Sequence, residues 1–511
     1  MHYARRFLTL AAALGVLFAG AQPANAVDFK VKGAFDVSFE TSNVLPRGVG
    51  GRDTFGAIER LRTQIDAVAG ENLSGSVLFT VGTGTMNWGS AKDGAALGAD
   101  GTQNLGVRHA YLDWVLPKTD LKVRMGMQPL LLPGYVTGWS AVYGQYTTGV
   151  SLSAPQIKLG DAQVGAAFFW GRPYNDNADL TKYGKNETGY LDNLDVFGLS
   201  IPVTAPGLKI TPWGMYALMG ENSLRGINDN TAQREPSIYA PRGGLMPVLG
   251  SGGNYVSTFE KVYRSAHNTW SNGYWGGLTS ELNLWAPFNI AAEFSYGAVD
   301  MGELQNYTGF GASAAQNKTF ELTRRGWYAA LRVDYKCSWG TPGVTAWYGS
   351  GDDDNPYNGS ERLPQFNTAW PVTPLGFGGG FFDLNTWKVL GHNPSGLAGG
   401  VVGIKDLSFL QDLTHTIKVG YFQGTNSAQM PRKANMTSYP TRADGPMAYL
   451  TTTDHAWDFS VSNTYKLYEN FLVNLEAAYV NLHLDSDTWN GVEDSQYRDN
   501  WRVSLSFRYM F

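Results

Sequence analysis

Only one cysteine, Cys337, stands in the 511 residues. No intramolecular disulfide can form, and no cysteine knuckle for a metal can be built, so Cys337 is expected unpaired in a turn. Long apolar runs are equally scarce. Beyond residue 26 no stretch of about 18 apolar residues occurs, which excludes a transmembrane helix. Charge is thin as well, 16% of the chain, with Lys+Arg 39 against Asp+Glu 44 and a formal net charge of -5. That balance excludes nucleic acid as a partner. Mean hydropathy is -0.23, too low for a helical membrane protein. Yet Gly 62, Trp 16, Tyr 27 and Phe 25 give far more aromatic surface than a disordered chain carries.

Catalytic spacing is missing too. His109, His267, His392, His415, His455 and His483 are scattered, with no metal-ligand spacing and no nucleophile motif beside them. No enzyme and no cofactor are expected. Gly351-Asp352-Asp353-Asp354-Asn355 gathers oxygen donors, so Asp352, Asp353 and Asp354 form a weak cation candidate. The stretch lacks the EF-hand glycine and terminal glutamate, and a solvated loop is the simpler reading. Gly82-Thr83-Gly84 is a glycine-rich strand end without the following helix that a phosphate cradle needs.

What is present begins with an export leader. Arg5 and Arg6 precede the uncharged, mostly apolar Phe7 to Gly20, and Ala24-Asn25-Ala26 supplies small residues for cleavage. Residues 1–26 therefore read as a signal peptide, and 27–511 as the mature domain. Without Arg5 and Arg6 the balance is 37 basic against 44 acidic side chains, a net charge of -7.

The mature sequence is written in period two. Trp501, Val503, Leu505, Phe507, Tyr509 and Phe511 alternate with Arg502, Ser504, Ser506 and Arg508. Phe29, Val31, Gly33, Phe35, Val37 and Phe39 alternate with mostly polar residues in the same way. Such strands have one apolar and one wet face. Similar segments are expected at 57–69, 72–84, 106–116, 120–128, 148–156, 161–171, 192–203 and 207–219. They continue at 273–285, 288–299, 325–336, 341–350, 399–409, 413–425, 454–466, 470–483 and 499–511. Joints between them alternate strictly, short ones such as Gly70-Glu71 and Ala286-Pro287 against long ones such as 129–147 and 351–398. Short turns on one side and long loops on the other are the mark of a transmembrane antiparallel β-barrel. An even count requires the weak segment 399–409. Eighteen strands are expected, with sixteen as the alternative. About twelve residues per strand, rising ~3.3 Å each and tilted ~40°, span a bilayer's apolar band.

A barrel of this size leaves an aqueous channel. The wet faces should line it, through Arg60, Arg62, Gln64 and Asp66, then Lys122 and Arg124, then Tyr328, Arg332 and Asp334, then Asn474 and Glu476. Segment 129–147 is the proposed constriction loop. It contains no charged residue, and Tyr135, Trp139, Tyr143, Gln145 and Tyr146 are expected to form an aromatic collar. Basic residues Arg60, Arg62, Lys122, Arg124 and Arg332 face Asp66, Asp113 and Asp334 on the wall, which predicts a weak anion preference.

Four stretches resemble bacterial outer-membrane porins, particularly the homotrimeric porins of sulfate-reducing bacteria. Val31-Lys32-Gly33-Ala34-Phe35 resembles the porin first strand. Val123 to Gln128 resembles the Gly-x-Gln motif before the third loop, with Met127 where a basic residue is common. Leu413 to Phe422 resembles a late strand, and Arg508-Tyr509-Met510-Phe511 the terminal one. The resemblance implies a third loop folded into the lumen and a homotrimer in outer-membrane lipid and lipopolysaccharide. It also implies that Phe511 signals to the outer-membrane assembly machinery, and that small hydrophilic solutes pass. The competing expectation is a barrel with a plugged lumen that serves as an outer-membrane enzyme or adhesin.

Overall fold

The structure is a computed structural model that describes residues 27–44, 53–81, 88, 105–175, 193–220, 243–245, 267–304, 319–366, 369–381, 388–433, 449–489 and 499–511. The expected signal peptide lies outside the described residues. The first six strands are β1 (Asp28–Ser42), β2 (Thr54–Val68), β3 (Leu73–Val81), β4 (Leu105–Val115), β5 (Lys122–Leu131) and β6 (Gly144–Ser153, continued by Ile157–Leu159). Next come β7 (Ala162–Val164 and Ala167–Asn175), β8 (Asn193–Ser200 and Val203–Ala205), β9 (Leu208–Gly220), β10 (His267–Leu282), β11 (Phe288–Leu304) and β12 (Phe320–Tyr335). The last are β13 (Thr341–Gly349), β14 (Leu397–Leu410), β15 (Leu413–Gly424), β16 (His455–Tyr468), β17 (Phe471–His483) and β18 (Asp499–Met510). Pro155 and Pro202 sit at the interruptions of β6 and β8, where a residue without an N–H cannot continue the ladder.

All neighbours are antiparallel, and β1 pairs both with β2 and with β18, so the sheet closes into an 18-stranded barrel. Weak segment 399–409 is β14, in register with β13 through Tyr348↔Ala398 and with β15 through Gly403↔Lys418. Sixteen strands are thereby set aside. Short turns bend tightly enough to need left-handed backbone, taken by Lys118 (φ 63) and Asp412 (φ 63) and by Gly160 (φ 63). Cys337 lies in one such turn, its N–H bonded to the Gly340 carbonyl at 2.9 Å.

Period two sorts the side chains. Asp36, Ser38, Glu40 and Ser42 of β1 are buried inside the barrel, while Phe29, Val31 and Phe35 are exposed on its outside. Around the outer face run two aromatic rows. Toward the long loops lie Tyr216, Tyr274, Tyr296, Trp327, Tyr348, Tyr421 and Trp457; toward the short turns lie Phe288, Tyr335, Tyr465 and Tyr509. Neighbours within a row touch, with Tyr216–Tyr274 centroids 5.3 Å and Phe288–Tyr335 4.9 Å apart. An apolar band between two aromatic girdles is the surface of a barrel that spans a membrane. Among the described residues no helix is long and apolar enough to do so.

The seam depends on one residue without a side chain. Gly33 and Phe511 exchange backbone hydrogen bonds of 2.8 and 3.1 Å. A Cβ on Gly33 would stand 2.3 Å from the Arg62 carbonyl oxygen and 2.5 Å from the Phe511 ring. The ring lies over the gap that the glycine leaves.

Candidate functional site

The loop joining β5 to β6 leaves the wall and crosses the lumen. Its Tyr135 N–H donates to Thr279 Oγ1 (3.2 Å), and its Tyr135 hydroxyl meets Thr211 Oγ1 (2.6 Å) under the Lys209 ammonium, 4.3 Å above the ring. The next peptide is gripped from both sides. Val136 N–H donates to Glu293 Oε1 (2.6 Å), and its carbonyl accepts from Arg332 Nη1 (2.7 Å). A chargeless loop is thus held by charges on the opposite wall, on β11 and β12. Glu293 was not singled out from the sequence, although it stands at a lumen position of β11 among small residues, the one signal that could have found it.

Tyr143 departs from expectation. It is wholly buried, stacked on Phe169 at 5.6 Å and edge-on to Phe366 at 5.2 Å, with its hydroxyl on Thr147 Oγ1 (2.8 Å). Burial pushes its phenol up to about 12. Tyr143 therefore anchors the loop and lines no water. Trp139 and Tyr146 keep 37% and 40% of their surface, and the Arg108 guanidinium sits 4.7 Å over the Tyr146 ring. Tyr135, Trp139 and Tyr146 do not join Tyr143 in one collar.

A second loop, between β13 and β14, also enters the barrel through its described residues 350–366, 369–381 and 388–396. Sequence reading leaves it outside. Thr373 Oγ1 and the Gly376 N–H both donate to Asp458 Oδ2, at 2.6 and 3.1 Å, and the Phe381 N–H donates to Glu476 Oε2 at 3.2 Å. Lys418 Nζ donates to the Val372 carbonyl (2.9 Å) and Arg502 to that of Pro374 (3.4 Å). Trp370 is fully buried, edge-on to Tyr328 and Trp347 at 5.4 Å each. The two loops touch where the Phe366 N–H donates to the Val142 carbonyl (2.9 Å). Apolar packing of this kind fills one side of the lumen.

Between the loops a cavity of about 230 Å³ remains, with Val136 and Thr137 of the third loop on one side and Pro371 and Val372 of the second on the other. Its wall carries Arg332, Lys405 and Lys418 against the single acid Asp334. Asp334 is shared, with Arg332 and Lys405 both 3.1 Å away. Of the residues expected at the constriction, only Arg332 and Asp334 join the loop here.

The others lie elsewhere on the lumen wall. Arg60 and Arg62 converge with Arg508 on the fully buried Asp36 carboxylate, at 3.1, 3.3 and 2.6 Å. Arg124 forks onto Asp113 at 2.6 and 2.8 Å, with Lys122 at 3.3 Å, and Asp66 pairs with Lys32 at 3.4 Å. Arg502 and Glu476 form a buried pair at 2.8 Å. Arg60, Arg62, Asp66, Asp113, Lys122 and Arg124 do face the interior, but they do not line the cavity between the loops. Asp36, Lys209, Lys405, Lys418 and Arg508 were not singled out from the sequence as site residues.

The cation candidate dissolves. Asp352 is buried and accepts from Ser360 Oγ (2.5 Å) and the Tyr449 hydroxyl (2.9 Å). Asp353 accepts from the Asn355 N–H (2.7 Å), and Asp354 pairs with Lys433. Each of the three carboxylates is taken up by partners of its own, so they do not converge on an ion, and among the described residues no group of three or more His, Cys, Asp or Glu could hold one. Nearby, Glu361 Oε2 accepts from the Asp353 N–H at 2.9 Å. Burial, with Asp352 and Asp353 beside it, pushes its carboxyl up to about 7.

No family model matches this chain, and no curated protein is similar to it in sequence. Several solved structures are similar in fold. OccK9 (OpdG) of Pseudomonas aeruginosa is 11% identical, covering 95% of this chain and 99% of its own, with a TM-score of 0.47. The BenF-like porin from Pseudomonas fluorescens Pf-5 is 8% identical over 95% of this chain and 98% of its own, at 0.46. OccK11 (OpdR) of Pseudomonas aeruginosa is 11% identical over 95% and 96%, at 0.45.

Proposed function

We propose that this barrel is a porin of the bacterial outer membrane, exported by a cleaved leader, through which small hydrophilic solutes diffuse passively. A closed sheet with a greasy outside and a charged inside supports that reading, because only a water-filled lumen repays so many polar side chains turned away from solvent. The observation that carries it is the cavity between the two inward loops, which is small, polar and continuous with charged wall.

The channel is weakly anion-preferring. Three acids of the lumen wall are each shared by more than one cation: three arginines on Asp36, two bases on Asp113, two on Asp334. A narrow path between low-dielectric walls concentrates that excess. The assembly is a homotrimer, and Phe511 is read by the assembly machinery; both proposals rest on the family resemblance.

Purified protein in a planar bilayer should give stepwise, ohmic conductance, and liposomes containing it should swell in small sugars. A barrel that never conducts would sink the porin reading in favour of a plugged enzyme or adhesin. Reversal potentials across a salt gradient test the preference. Lys418→Gln should move them toward cations further than Arg62→Glu, since Lys418 lines the cavity and Arg62 does not. Migration at about three times the monomer mass before boiling tests the trimer.

A further inference from the structure

Strand pairing brings together two histidines that are far apart in sequence. His455 opens β16 and His483 closes β17, and the two are direct register partners. On these strands Ala456, Asp458 and Leu482 are buried inward, so by alternation both imidazoles face outward, next to the long loops. Their ring centroids are 4.8 Å apart at an interplanar angle of 43°.

That distance is compatible with a chelate. A Zn²⁺–imidazole bond of about 2.0–2.1 Å puts the ring centroid about 3.2 Å from the metal, so two rings meeting one ion at roughly 100° have centroids about 4.9 Å apart. Packed rings span ~4.5–7 Å, and Phe288–Tyr335 reaches 4.9 Å, so what sets this pair apart is that both rings are imidazoles at register-partnered positions. Tyr421 packs in the same row, its ring 5.9 Å from His455. On the other flank Gln423 is the register partner of His455 on β15, an amide on the adjoining strand.

We propose that His455 and His483 bind a divalent transition metal, Zn²⁺, Ni²⁺ or Cu²⁺, as a cross-strand chelate on the outer rim of the barrel. Imidazole pairs suit these ions and not Ca²⁺ or Mg²⁺. Water fills the remaining coordination positions. The ion clips β16 to β17 without touching the lumen, so it binds independently of conduction.

The test uses the untagged, full-length mature barrel, stripped with a chelator and titrated with Cu²⁺ by calorimetry and electron paramagnetic resonance. The expected result is one Cu²⁺ per chain with coupling to two nitrogens. His455→Asn and His483→Asn should each remove the two-nitrogen signature and weaken binding by roughly 10- to 100-fold. His455→Phe keeps a ring for packing and should abolish the signature equally. His109→Asn and His415→Asn should leave it intact. Heat-modifiable migration checks that each variant is folded, and conductance should be unchanged with or without metal. Absence of Cu²⁺ uptake by the wild-type barrel, or two-nitrogen coupling that survives the double variant, overturns the proposal.

Discussion

One peptide fixes how far the third loop reaches into the channel. Val136 is bonded on its N–H side by Glu293 and on its carbonyl side by Arg332, two residues from different strands. Removing the carboxylate leaves a buried donor unmet, a cost of about 1–3 kcal/mol, and frees the loop from the wall. Glu293→Ala should therefore raise single-channel conductance and add sub-states, while Glu293→Gln, which keeps one acceptor oxygen, should stay close to wild type. Equal conductance in all three proteins would show that the clamp does not set the constriction.

A second residue makes the other loop sensitive to pH. Glu361 is raised from 4.5 to about 7, first by burial and then by Asp352 and Asp353. A carboxyl raised by folding holds its proton more tightly in the folded state, so its deprotonation opposes the fold. The loop is most stable below about 4.5, and that stability is lost as pH rises through about 7. Protection of residues 350–363 against hydrogen exchange, taken relative to the intrinsic amide rate at each pH, should be greater at acid than at alkaline pH. Glu361→Gln should flatten the difference.

At the level of elements, the barrel joint is held by a close fit. Adding a methyl at Gly33 drives it into the Arg62 carbonyl and the Phe511 ring. Overpacking of this kind costs about 1–3 kcal/mol, and Gly33→Ala should lower the temperature at which the folded, fast-migrating form is lost on gels. The strands themselves were legible in the sequence, including weak β14, because alternation follows from a pleat with lipid on one side and water on the other. The inward course of the described parts of the β13–β14 loop was not. Its glycines, prolines and aromatics match those of any external loop. What draws it in are Asp458, Glu476 and Arg502, three wall residues distant in sequence. The cavity was half legible for the same reason. Arg332 and Asp334 follow from the lumen face of one strand, whereas Lys405 and Lys418 matter only once Val372 lies across from them.

For the molecule as a whole, the charge balance of the cavity wall and that of the chain have opposite signs. Net charge is -5, yet the cavity wall sets Arg332, Lys405 and Lys418 against Asp334. A field from wall charges is screened over about 10 Å at 0.1 M salt and about 3 Å at 1 M. The reversal potential should accordingly report anion preference most clearly in dilute salt and shrink as salt rises. A cation preference at every concentration would mean that acids of the long loops govern the path.

The joint between β1 and β18 also has a temporal side. Ala34 pairs with Met510, nearly the whole chain apart, so this ladder is the least local contact in the barrel. The entropy of closing so long a loop grows only logarithmically, about 0.6 kcal/mol per doubling, so sealing is not thermodynamically prohibitive. It is slow, because pairing of distant strands limits folding rates. Until it happens β1 and β18 are two open strand edges, each a template for another chain. The vulnerable interval in this protein's life therefore lies before the barrel is sealed, when a neighbouring copy offers the same edge at shorter reach.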